Sequence, residues 1–211
     1  MLPEIIVLAS ASPRRRELLE EAGMDFIQVR PRFDESGADK KAPPRLYVRE
    51  LAVRKALSVA EDYKNALIIG ADTVVVNKDR LLEKPGNIRQ AEEYLRLLSG
   101  SLHYVYSGLC VVASGTGRIL KGHEKTAVKM NPMDDEFIKH YVKKAESLDK
   151  AGGYAIQEDG DKFIEKISGS FYNVIGLPLG LLYRLLEGQG IRRPKLLKME
   201  EEMYDKVSKN S

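Results

Sequence analysis

ALIIGADTVVV, residues 66–76, reads as one apolar, β-branched strand into which Gly70 and the polar pair Asp72-Thr73 are set. A carboxylate inside such a run must be solvated in a cleft, hydrogen-bonded or bound to a cation, because burying it alone is costly. Downstream, residues 77–80 (NKDR) form a turn, Leu81-Leu82 a short return strand, and Lys84-Pro85-Gly86 leads into a helix carrying Ile88, Ala91, Leu95 and Leu98. Residues 103–113 and 118–130 read as antiparallel partners joined by the turn Gly115-Thr116-Gly117. Asp134 is a candidate cap for a helix whose Phe137, Ile138, Tyr141 and Val142 share an apolar face. Beyond Ala151-Gly152-Gly153, residues 154–157 and 162–167 look like two further strands, and residues 179–186 like a helix ended by Gly188.

Upstream of the central run, residues 44–62 carry Leu46, Leu51, Val53, Leu57 and Ala60 at helical spacing, with Lys55 inside the helix. Residues 31–44 show Pro, Gly, Asp and Lys without periodicity and read as a long exposed loop, preceded by a short strand at 26–29. The first strand, residues 4–9, ends in Ser10-Ala11-Ser12-Pro13 and runs into a helix closed by Gly23, with Ser12 as candidate N-cap and Pro13 at the first helical position. Helices interleaved with both hairpins and single strands predict an α/β (α+β) fold, a mixed twisted sheet with flanking helices rather than a purely parallel sheet.

The composition bounds what such a fold does. With 211 residues, 43% of them hydrophobic, the chain fills one domain, expected over residues 1–190, with a charged Lys/Glu-rich extension over 191–211. A single cysteine, Cys110, excludes an intramolecular disulfide framework, and its apolar neighbours make it core rather than nucleophile. There is no signal-peptide pattern and no apolar run near the roughly 18 residues of a membrane span, so a cytoplasmic protein without membrane attachment is expected. A net charge of +3 is too small to point to nucleic acid, which leaves local clusters to carry the electrostatics.

Five places could carry chemistry. The segment SASPRRR, residues 10–16, presents small polar residues and free N–H groups at a helix N-terminus, where phosphate sits well. Ser10 and Ser12 can donate to phosphate oxygens and Arg14 and Arg15 can clamp them, although a capped surface helix with solvated arginines fits this segment equally. Asp72 suits a metal ligand or general base, or a carboxylate satisfied by backbone amides. Glu35, in the loop motif Phe33-Asp34-Glu35, offers a second carboxylate, and Lys55 and Lys84 could neutralise phosphate, though lysines and loop carboxylates are solvated by default. His103, His123 and His140 lack metal-ligand spacing, and Gly115-x-Gly117 lies between strands, unlike a dinucleotide fingerprint.

Taken together, LASASPRRRELL (8–19), GADTVV (70–75), EKP (83–85), SGxxHxVYSGLCV (99–111), DKAGGYAIQ (149–157) and NVIGLP (173–178) resemble the Maf family of nucleoside triphosphate pyrophosphatases over about residues 5–187. The resemblance implies two lobes around a central cleft, a fold related to the inosine triphosphate pyrophosphatases, and often a homodimer. It implies hydrolysis of a nucleoside triphosphate to monophosphate and pyrophosphate, with Mg²⁺, or Mn²⁺ in its place, as cofactor. By the same resemblance Asp72 matches the catalytic aspartate and Glu35 a second acidic position, both also candidates to hold the metal; Lys55 and Lys84 match essential lysines assigned to the triphosphate. Ser10, Ser12, Arg14 and Arg15 complete that cradle. Three positions that track substrate choice fall on Arg14, Thr73 and Gln157, a combination resembling the branch that acts on dTTP and UTP. Gln157 suits a uracil or thymine edge because an amide donates and accepts at once. The alternatives are 7-methylguanosine triphosphate as substrate, or a non-catalytic nucleotide- or DNA-binding regulator of septum formation. A pure polyanion binder, however, gains nothing from Asp72 and Glu35 beside the phosphates unless a metal intervenes.

Overall fold

The computed structural model describes residues 5–33, 37–144, 147–157, 159–192 and 199. β1 (Ile5–Ala9) leads into α1 (Pro13–Glu21) and β2 (Ile27–Val29), and α2 (Pro44–Ala60) then crosses to the long β3 (Ala66–Asn77). The hairpin strand β4 (Arg80–Leu82), α3 (Ile88–Leu98), β5 (Leu102–Ala113), β6 (Arg118–Met130) and α4 (Asp135–Lys144) follow. Two 3-10 turns (Ser147–Asp149 and Ala151–Gly153), α5 (Gly160–Phe163), β7 (Ile164–Ser168), α6 (Phe171–Ile175) and α7 (Leu179–Gly188) complete the described chain. The seven strands form one sheet in the order β2-β1-β3-β5-β6-β7, with β4 beside β3. β1 is parallel to β2 and β3 and every other pair is antiparallel, so the sheet is mixed, as the interleaved pattern predicts.

Strand alternation sorts the apolar residues onto two faces. Leu8, Leu67, Ile69, Ala71, Leu109 and Val111 pack with Leu18 and Leu19 of α1 and Leu179, Leu182 and Leu186 of α7. Val7, Ala9, Ile68, Cys110 and Val112 face the other way, against Ala52, Ala56 and Val59 of α2. On that second face α2 comes unusually close. A Cβ on Gly70 would stand 2.2 Å from the Ala52 carbonyl oxygen, and one on Gly108 would stand 2.1 Å from that of Val48. Gly70 pairs with Cys110, and Gly108 with Asp72, so the two glycines form a shallow trough across β3 and β5 in which the helix backbone lies. A third cluster, with Leu95, Val105, Ile138, Tyr141, Tyr154 and Phe163, joins α3, α4 and β7 at the other end of the sheet.

Three sequence expectations are corrected. Residues 154–157 form no strand, because the Tyr141 hydroxyl occupies the Ala155 backbone, lying 3.0 Å from its N–H and 3.4 Å from its carbonyl oxygen. The strand expected at 162–167 begins at Ile164, after the single helical turn of α5 brings Phe163 into the core. Ser12 holds the N-cap position of α1 without capping it through its side chain; its own N–H instead donates to Ser10 Oγ at 3.2 Å. Asp134, by contrast, caps α4 as expected, accepting from the Phe137 N–H at 2.7 Å. Helix α6 escaped the sequence reading because its five residues are too few to show a period. Of the expected extension, all but Ile191, Arg192 and Met199 lies outside the described residues.

Candidate active site

β1 is flanked by parallel neighbours reached through helices on opposite faces, so the chain reverses its winding at the carboxyl end of β1. Crevices in α/β sheets form at such switch points. Here a second feature deepens the crevice. β1 pairs with β3 only through Gly70, and β4 pairs with it only from Val75, which leaves residues 71–74 of β3 without a strand neighbour on that side. This gap exposes both faces of β3 at once, so Asp72 and Thr73, which alternation points in opposite directions, line the same cleft of about 500 Å³.

Asp72 shares the α2 face with Gly70. Because the glycine trough seats α2 so closely, Lys55 on the same helix reaches across, and its Nζ donates to Asp72 Oδ1 at 2.6 Å. Their side chains are only 12% and 10% exposed, which makes this a largely desolvated pair at the cleft wall. On the opposite face Thr73 Oγ1 lies 2.8 Å from Ser107 Oγ and accepts from Arg15 Nη2 at 3.1 Å. Arg15 also donates from Nε to the Gly176 carbonyl at 2.9 Å, and from Nη1 to Ser10 Oγ at 3.2 Å and the Ala71 carbonyl at 3.0 Å. That last bond supplies the Ala71 carbonyl with the donor that a neighbouring strand would otherwise provide. Arg15 therefore pins β1, β3 and the α6–α7 turn together. Gly176, at φ 122°, is a glycine because few other residues adopt that backbone.

The Ser10-Ala11-Ser12 turn is held from behind by Gln28, whose Nε2 donates to the Ser10 carbonyl at 2.9 Å and the Ser12 carbonyl at 3.2 Å. Ser12 does not cap α1 through its side chain, and the first-turn N–H groups of such a helix suit an anionic ligand. Arg14 lines the cleft and donates from Nη2 to the Asp149 carbonyl at 3.2 Å. Lys84 pairs with the Asp149 carboxylate, and Lys40 with Glu83, whose other oxygen accepts from the Tyr47 hydroxyl at 2.7 Å.

Every described residue among the site residues expected from the sequence thus lines this one cleft, namely Ser10, Ser12, Arg14, Arg15, Lys55, Asp72, Thr73, Lys84 and Gln157, and Glu35 lies outside the described residues. The sequence reading missed Lys40, Glu83, Asp149 and Tyr154. Glu83 and Asp149 stand inside the EKP and DKAGGYAIQ motifs, and their adjacency to Lys84 and to the glycine pair was the available signal. Among the described lining residues six are Arg or Lys and three are Asp or Glu, so the cleft is cationic within a nearly balanced protein and attracts anions. Its donors for a metal are carboxylates, with no His or Cys among the described lining residues. Hard oxygen ligands of this kind fit Mg²⁺ or Mn²⁺, which take one or two carboxylates and complete their shell with phosphate oxygens and water. Cys110 is buried, and desolvation pushes its thiol up to about 12, in keeping with a core residue. No helix among the described residues is long and apolar enough to cross a membrane.

The family model described as Maf-like protein matches residues 5–189. A dTTP/UTP pyrophosphatase of Dictyoglomus thermophilum is 44% identical over 185 residues, covering 88% of this chain and 96% of that protein. Another protein of that name, from Syntrophus aciditrophicus, is 42% identical over 190 residues, covering 90% and 92%. Among solved structures, the Staphylococcus aureus Ham1 protein superposes with a TM-score of 0.50 at 15% identity, over 88% of this chain and all of that one, a likeness of fold.

Proposed function

This chain belongs to the Maf family, and from that premise we propose that it hydrolyses nucleoside triphosphates, dTTP and UTP foremost, to the monophosphate and pyrophosphate. The observation that carries this reading is the mixed lining of one cleft, where Ser10, Ser12, Arg14, Lys55, Asp72 and Lys84 occur together with Val75, Val105, Tyr154, Ile156 and Val174. The cationic and hydroxyl groups suit a triphosphate, and the apolar and aromatic ones a nucleobase.

In this proposal Asp72 orients a water toward the α-phosphorus and takes its proton as the bond from that phosphorus to the α,β-bridging oxygen breaks. Pyrophosphate leaves with its charge matched by Lys84 and Arg14, which exchange their present acceptors on Asp149 for phosphate oxygens. Lys55 holds Asp72 in place and sets the local field. Asp72, with Glu35 as the second acidic position, would hold Mg²⁺, which when bound polarises the phosphate oxygens and neutralises developing charge. Ser10 and the α1 amides bind phosphate, whereas Arg15 acts by shaping the site, since its guanidinium already bonds four protein acceptors. Arg14, Thr73 and Gln157 set the choice of base.

The test is pyrophosphate release from a panel of natural and modified triphosphates, with Mg²⁺ or with EDTA. Metal-dependent release from dTTP and UTP, reduced at least ~1,000-fold in Asp72→Asn, supports the proposal. Binding of triphosphates without cleavage by the wild type refutes it.

A further inference from the structure

Gln157 can read a base only if the segment that carries it is held still, and no strand ladder holds it. Its anchors are instead separate contacts at Gly152, Tyr154 and Ala155. The Gly152 N–H donates to the Glu83 carbonyl at 3.1 Å, and Ala155 is bonded by the Tyr141 hydroxyl. Between them Tyr154, which lines the cleft, turns its hydroxyl into the core and meets Nε2 of His103 on β5 at 2.7 Å. The two rings meet edge to face at 5.5 Å, and Phe163 packs edge-on against the same tyrosine.

The histidine is costly in its position. His103 is completely buried, and its Nδ1 has no hydrogen-bond partner among the described residues. An apolar side chain would avoid that unsatisfied atom, so packing alone does not explain a histidine here; its bond to Tyr154 does. Desolvation lowers the imidazole to about 4 and raises the phenol, so both partners are neutral near pH 7 and the contact is a plain, fixed hydrogen bond.

We propose that His103 is a positioning residue for base recognition: by fixing the Tyr154 hydroxyl it sets the aromatic wall of the cleft and the path of the segment leading to Gln157. This rests on the reading of the cleft as a nucleotide site. It predicts that the residue acts on substrate choice from a place no substrate touches.

The test compares His103→Leu, His103→Gln and Tyr154→Phe with wild type, measuring kcat and KM for UTP and CTP and the melting temperature of each. His103→Leu and Tyr154→Phe should raise the KM for UTP about five- to tenfold with kcat changed less than about twofold, the loss expected for one hydrogen bond. The preference for UTP over CTP should fall by a similar factor, His103→Gln should recover part of it, and the double variant should be no worse than either single one. Folded variants with unchanged KM and preference would overturn the role of His103, as would a loss of kcat shared equally by both substrates. Tyr154→Phe keeps the core filled, so the comparison survives if His103→Leu does not fold. Failure of the wild type to cleave any triphosphate would instead overturn the nucleotide reading itself.

Discussion

Asp72 and Lys55 illustrate how a residue's neighbours decide its use. A carboxylate set in an apolar strand demands a partner, and the sequence shows that demand without showing what meets it. Lys55 meets it only because α2 lies against β3. Removing the cation by Lys55→Met should take from Asp72 its buried charge partner and destabilise the fold by up to about 3 kcal/mol in urea unfolding. The same variant should lose most of its activity. Arg15 behaves differently from its place in the motif. Read from SASPRRR it is one of two phosphate clamps, yet it bonds Ser10, Ala71, Thr73 and Gly176. Arg15→Lys keeps the charge but cannot reproduce a planar fork, and should lower the melting temperature by several degrees, about 1–2 kcal/mol of stability. If Arg15→Lys were as stable as wild type, the pinning role would be wrong. Glycine-free spacing rules could not have separated Arg14 from Arg15, since adjacent helical residues point about 100° apart and the sequence does not say which way the cleft lies.

Among the elements, the glycine trough under α2 makes the site possible. Gly108 lies directly across from Asp72 on the neighbouring strand and Gly70 two residues before it on its own, and both face the helix backbone. Gly108→Ala would put a methyl group into the Val48 carbonyl and must lift α2, so it should cost on the order of 2–3 kcal/mol and weaken activity by separating Lys55 from Asp72. An unchanged melting temperature in this variant would show that the close approach is not required. Long strands and amphipathic helices were legible from their periods, as β3, β5, β6, α3 and α4 are. The segment 154–157 misled because YAIQ has strand composition, whereas its hydrogen bonds go to Tyr141 and His103, residues distant in sequence. Short α6 and α5 carry too few residues for a period to emerge, and tertiary contacts decide them.

For the whole molecule, burial of His103 couples stability to pH. Its imidazole lies at about 4 in the folded chain against 6.5 when solvated. Between those values the unfolded chain binds a proton that the folded chain refuses, so stability falls as pH drops through this range and is regained above pH 6.5. The contribution between pH 7 and pH 5 should be on the order of 2 kcal/mol and should vanish in His103→Leu. Urea unfolding at the two pH values checks it, by whether the variant loses less stability than wild type. At the same scale the cleft depends on a gap in the sheet that no local pattern announces: the sequence shows β1, β3 and β4, but where β1 stops and β4 begins along β3 is a matter of register. The motifs named residues that line one cleft, and the gap explains why residues from opposite faces of one strand meet there. The most direct measurement is phosphorus NMR of the products formed from UTP in the presence of Mg²⁺. UMP and pyrophosphate in equal amounts are expected, and the appearance of UDP with orthophosphate, or no turnover at all, would overturn the proposed hydrolysis.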